Sequence, residues 1–243
     1  MLPASMEGSF MQINGFEGVS LVDYPGKVCS IIYTSPCNFK CAFCHNPLLV
    51  TVNNDVLDTD AILVDLAERS GFIEGVTITG GEPTLQLDLP QFAAALKSLN
   101  LFVKLDTNGY RPQALKELMD KKLIDYIAMD IKAAPEKYSE ACGVKVDLEK
   151  IKESAAMIMG SGIDYEFRTT VVPGYVDMED AHKIGSMVNG AKRFTVQQYD
   201  NTKTYDPGMK NTAPYPEKII AEFAEKMKAY AEEVKILNTV SVI

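Results

Sequence analysis

An α/β fold on a parallel sheet is what the sequence predicts, and three observations predict it. Apolar runs of strand length alternate with segments of helical period six times. Caps and stops punctuate each change of period. Polar or glycine residues follow nearly every apolar run: Gly80-Gly81-Glu82, Asp106-Thr107-Asn108, Asp130 with Lys132, and Gln197-Gln198 with Asp200; Arg168 lies within the fifth run. Parallel α/β folds bind ligands at the carboxyl ends of their strands, so these residues are expected to converge on one site.

The first twelve residues show no convincing period and read as a flexible extension; residues 13–243 read as one domain without a linker. Residues 27–34 form the first predicted strand, followed by the cysteine loop. Residues 58–70 are amphipathic through Ile62, Leu63, Leu66 and Ala67, with Gly71 as the stop. Strand 75–79 ends in Gly80-Gly81, and Pro90 suits the first turn of a helix carrying Phe92, Leu96 and Leu99. Strand 101–107 precedes a helix from Pro112, and strand 126–131 a helix from Asp147 bearing Ile151, Ala155 and Ile158. Strand 165–172 precedes a helix capped by Asp177 and stopped at Gly190. The sixth strand, 193–199, leads to a closing helix from Pro216. Period alone leaves a doubly wound sheet and an incomplete barrel both open.

The chain has 243 residues, 24 Lys and Arg against 33 Asp and Glu, and a net charge of −9. Its 47% hydrophobic and 23% charged residues exclude a largely disordered chain. No apolar run approaches the roughly 18 residues of a membrane span, and no signal peptide is legible. The acidic balance argues against nucleic acid, whose phosphates require clustered cations. Five cysteines, three of them within eight residues, suit a reducing cytoplasm with a metal or redox site better than a secreted disulfide scaffold. With His45 and His182 the only histidines, a His-rich metal site is excluded. His182, in a helix, reads as surface or core; Cys29 and Cys142 read as buried or free thiols.

Cys37, Cys41 and Cys44 carry the chemistry in a C-x3-C-x2-C spacing. Soft thiolates favour zinc or iron–sulfur binding. Structural zinc wants four protein ligands and the fourth is missing locally, whereas three thiolates suit a [4Fe–4S] cubane with one iron open to a small molecule. A zinc loop and plain buried cysteines remain the alternatives.

With Phe43 before the last cysteine, this spacing resembles the radical S-adenosylmethionine superfamily. The resemblance covers nearly all of 13–243 and implies a partial (β/α)6 barrel, a [4Fe–4S] cluster and S-adenosylmethionine. Gly80-Gly81-Glu82-Pro83 resembles the motif that holds the cofactor's amine; glycines let backbone approach a ligand, and a carboxylate accepts from ammonium. Within the superfamily the chain is most similar to glycyl-radical-enzyme activases, through the opening 15–27 segment, Cys44-His45-Asn46-Pro47, Asp106-Thr107-Asn108-Gly109, Met129-Asp130-Ile131-Lys132, and Arg168 with Val171-Val172-Pro173-Gly174. The resemblance implies that Phe43, Gly80, Gly81, Glu82, Asp106, Asp130, Lys132 and Arg168 bind the cofactor. Lys132 and Arg168 would meet its carboxylate and Asp130 the ribose, and Asp106, Thr107 and Asp130 would hold a monovalent cation.

The implied reaction is reductive cleavage of the cofactor to methionine and a 5′-deoxyadenosyl radical, which takes hydrogen from one glycine of a partner glycyl radical enzyme. A flavodoxin or ferredoxin-type protein would donate the electron. No cysteine-rich insert follows the first strand, and Tyr199-Asp200 stands where some relatives have histidine. The opening segment and Gln197-Gln198-Tyr199 fit best the barrel-length activating proteins of anaerobic ribonucleotide reductase. A pyruvate formate-lyase-type activase, a radical enzyme acting on a small molecule or modified-nucleoside precursor, and a zinc-stabilised binding module are the alternatives. Residues 201–214 are expected either to face the partner or simply to connect.

Overall fold

The computed structural model describes residues 11–237. Most of the expected N-terminal extension lies outside these residues. Met11 is already buried, and Gln12 donates its N–H to Gln86 Oε1 at 3.0 Å. Eight strands follow chain order in the sheet, β1 to β8. By contacts the described residues divide into two compact units, 11–38, 49–107 and 113–127 in the first and 39–48, 108–112 and 128–237 in the second, the last boundary falling within β5 (Tyr126–Asp130).

In the first unit, β1 (Ile13–Ser20) pairs antiparallel with β2 (Cys29–Thr34), and β3 (Gly75–Gly80) and β4 (Phe102–Thr107) follow in parallel. Parallel neighbours need crossovers, and α1 (Thr59–Arg69) and α2 (Leu89–Ser98) supply them. Asp58 caps α1 by accepting from the N–H groups of Asp60 and Ala61. Ile62, Leu63 and Leu66 are its buried stripe, while Phe92, Ala93 and Leu96 serve α2. Pro112, counted in the second unit, opens α3 (Pro112–Asp120), the rest of which belongs to the first.

The second unit holds α4 (Tyr138–Ala141), α5 (Leu148–Gly160), β6 (Asp164–Val171), α6 (Ala181–Met187), β7 (Ala191–Gln198), α7 (Glu217–Met227) and β8 (Ala231–Leu237). Strands β6, β7 and β8 are parallel. β6 states the period-two rule plainly: Tyr165, Phe167, Thr169 and Val171 are buried, while Glu166, Arg168 and Thr170 are only half-buried. Register places the buried Thr195 beside Arg168 and Gln197 beside Thr170, so that face is polar.

The six predicted strands are β2 to β7. The sequence reading missed β1, whose INGFEGVS contains two glycines, and β8, whose AEEVKIL resembles a charged helix turn. The helix expected from Asp177 starts later, at Ala181, after a 3-10 turn in which Asp177 and Asp180 form a capping box. No described helix is long and apolar enough to cross a membrane.

Candidate active site

The cysteine loop begins where β2 ends. Cys37 N–H donates to the Val50 carbonyl at 3.2 Å, and Cys44 N–H to that of Cys41 at 3.0 Å, closing a tight turn between the last two cysteines. None of the five cysteines is in a disulfide. Cys41 is buried, whereas Cys37 and Cys44 are half-buried. A hydrogen bond with the Cys142 side chain, helped by the nearby Lys132 ammonium, outweighs burial and pulls the Cys41 thiol below its ordinary pKa. Burial pushes the Cys44 thiol up. Cys29 is also raised by burial, receives the Thr77 hydroxyl at 3.8 Å, and sits in the core as an inert thiol.

The two glycines after β3 do something the sequence reading did not foresee. Gly80 adopts φ +111°, and a Cβ there would lie 2.5 Å from Thr34 N; at Gly81 it would lie 2.5 Å from the Pro36 carbonyl oxygen. Both pack against the backbone that leads into the cysteine loop. Gly81 N–H donates to Thr34 O, and Glu82 N–H to Pro36 O. These glycines therefore seat the cysteine loop, whatever else approaches them.

Glu82 is fully buried, and its Oε1 accepts from Thr84 N at 3.1 Å, from the Thr84 hydroxyl and from the Thr107 hydroxyl at 2.8 Å. Asp106 is engaged by the ammonium of Lys104, a lysine only 3% exposed. Lys104 was not singled out in the sequence, although its place two residues before Asp106 puts both on one face of β4. Thr107 and Asp106 thus already have partners of their own in the first unit.

In the second unit, Asp130 accepts from Lys132 Nζ at 2.8 Å and from Arg168 Nε at 2.9 Å. Burial pushes the Asp130 carboxyl up, but the two cations outweigh it and hold the group well below the usual carboxylate range. Burial pulls Lys132 down, and Asp130 with the sulfurs of Cys41 and Cys44 lifts it well above its ordinary value. One cation is therefore shared electrostatically between a carboxylate and two of the three cysteines. Phe43 is buried with its ring centroid 5.4 Å from that of Tyr175. His45 is exposed, and His182 meets the Tyr230 hydroxyl at 3.0 Å, on the surface.

The loop after β7 is also built against the cysteines. Asp206 N–H donates to the Ala42 carbonyl at 2.9 Å, and the Tyr199 hydroxyl donates to the carbonyl of the buried Met209 at 2.8 Å. A 3-10 turn, Pro207–Asn211, orders its centre.

Among the described residues no three His, Cys, Asp or Glu side chains stand together as a ready-made metal centre. The donor chemistry nonetheless fits an iron–sulfur cluster: three thiols outside any disulfide within eight residues of sequence, with Cys41 drawn toward thiolate and the Lys132 ammonium acting on Cys41 and Cys44.

A family model for the Radical SAM superfamily matches residues 31–184, more than half of the chain. The chain is 33% identical over 229 residues to a protein of Methanocaldococcus jannaschii named as a glycyl-radical enzyme activating enzyme, covering 92% of this chain and 95% of that one. It is 29% identical over 208 residues to the pyruvate formate-lyase-activating enzyme of Streptococcus mutans, covering 77% and 76%. Among solved structures, Streptococcus suis SuiB bound to precursor peptide SuiA superposes with a TM-score of 0.63 at 16% identity. That match covers 84% of this chain and about half, 48%, of SuiB. Coproporphyrinogen III oxidase of Escherichia coli gives 0.57 at 13% identity, over 86% and 53%. These likenesses bear out the expected fold, an open, mostly parallel α/β sheet of the partial (β/α)6 barrel type. The chain belongs to the Radical SAM superfamily and is an enzyme of it.

Proposed function

We propose that the protein is a glycyl-radical-enzyme activase. The observation that carries this reading is the end-to-end likeness to a named activating enzyme, 92% of one chain against 95% of the other. Cys37, Cys41 and Cys44 would hold a [4Fe–4S] cluster through three thiolates. When bound, the cluster and S-adenosylmethionine supply an electron and a carbon-centred radical able to abstract hydrogen.

The chain's own residues bind and orient. Lys132 and Arg168 offer two cations to a carboxylate, and Asp130 holds both in place at 2.8 and 2.9 Å. Glu82, dry and fixed by two threonine hydroxyls, presents a negative charge suited to an ammonium. Gly80 and Gly81 set the path of the cysteine loop, and Phe43 closes it against Tyr175. A monovalent cation at Asp106, Thr107 and Asp130 is part of the same proposal; at Asp106 it would share the carboxylate with the Lys104 ammonium.

The protein substrate would be the glycine loop of anaerobic ribonucleotide reductase, with a flavodoxin or ferredoxin-type donor. A pyruvate formate-lyase partner is the second reading, favoured by the Streptococcus mutans relative. Anaerobic incubation with reductant, S-adenosylmethionine and each candidate partner, followed by electron paramagnetic resonance, tests both. A glycyl doublet on the reductase alone supports the first, on the lyase alone the second. Cofactor cleavage with no doublet on either overturns the activase reading.

A further inference from the structure

Cys142 has no spaced partner in the sequence, yet the fold places it on the cysteine loop. Lys40 N–H donates to the Cys142 carbonyl at 2.8 Å, and Cys142 N–H donates to Tyr138 O at 3.0 Å at the end of α4. The next residue, Gly143, has φ +63°, and a Cβ there would lie 2.4 Å from the Lys40 carbonyl oxygen. Backbone thus packs directly on backbone one residue before Cys41. The Cys142 side chain is wholly buried and hydrogen-bonded to the side chain of Cys41.

A thiol has one weak donor proton. Hydrogen bonds to the sulfurs of an iron–sulfur cluster help set its reduction potential. A donor stabilises the more negative, reduced state more than the oxidised one, so it raises the potential. Cys142 is excluded from water and its backbone is pinned on both sides, so its thiol is held where a cluster sulfur at Cys41 would accept.

We infer that Cys142 is a positioning residue for the cluster, whose buried S–H donates to Cys41 Sγ and makes the cluster easier to reduce. This rests on the cluster reading above and adds a residue to it. The step is a one-electron reduction by the external donor, with the thiol proton staying on Cys142.

The test uses the full chain, loaded with iron and sulfide without oxygen, and reads metal content and midpoint potential separately. Cys142→Ala and the bulkier Cys142→Val, which also lacks the donor, should keep the wild-type iron content. Their one-electron reduction constants should fall at least tenfold, which is 59 mV more negative. Cys142→Ser, which restores a donor, should return within threefold of wild type. Wild-type potential in either donor-less variant that folds overturns the inference and leaves the cluster intact as a reading. Iron loss in both variants as complete as in Cys41→Ala overturns it too, by making Cys142 a ligand. Iron absent from the wild type overturns the cluster itself.

Discussion

One methyl group at Gly81 would land 2.5 Å from the Pro36 carbonyl, the residue before the first cysteine. Gly81→Ala should therefore cost about 1–3 kcal/mol as overpacking, with roughly 2–4 °C of melting temperature lost per kcal/mol. It should also lower iron loading, because the strain falls on the cysteine loop. An unchanged melting temperature would show that the loop yields freely. Asp130 gives a pH prediction. Its carboxyl lies below the unfolded value of about 3.9, so its stabilising contribution is full above that value and drains as pH falls through and below it. Asp130→Asn should lose about 1–3 kcal/mol at pH 6, since it removes the carboxylate that both Lys132 and Arg168 face. Between pH 6 and pH 3 it should then lose less stability than wild type, measured by urea midpoints. Equal losses would mean that Asp130 does not titrate as its partners demand.

At the scale of elements, most of the architecture was legible because period and punctuation agree. Asp58 before Ile62, Leu63 and Leu66 gave α1 nearly to the residue, and Asp147 before Ile151, Ala155 and Ile158 gave the start of α5. β1 and β8 were not legible for opposite reasons. Glycines at 15 and 18 break the alternation of β1, and β8 exposes most of its length, so neither shows a hydrophobic period. The polar residues at strand ends were readable by type, but their partners were not. Nothing in the order of residues says that Lys104 covers Asp106, or that Cys142 lies under Cys41, since such pairings are made by tertiary packing. The 201–214 loop is the clearest case, expected to face a partner or simply connect, and found hydrogen-bonded to the cysteine loop through Asp206 and Ala42. Replacing 202–212 with a short Gly-Ser link should accordingly cut iron loading at least twofold before any partner is added. Full loading with a lost glycyl signal would return the loop to a docking role.

For the molecule as a whole, the proposed chemistry depends on three thiols among five. Cys37→Ala, Cys41→Ala and Cys44→Ala should each abolish the cluster, because a cubane held by three protein ligands then loses one of them. Cys29→Ala should retain it, since that thiol is buried in the core with its pKa raised by burial. A Cys29 variant without iron beside a Cys41 variant with it would overturn the ligand set. The most direct measurement is the iron and sulfide content of the anaerobically prepared full chain, read beside its reductive cleavage of S-adenosylmethionine. About four iron and four sulfide per chain, with methionine released only under reductant, is the predicted result. Stoichiometric zinc without iron, and no cleavage, would contradict it.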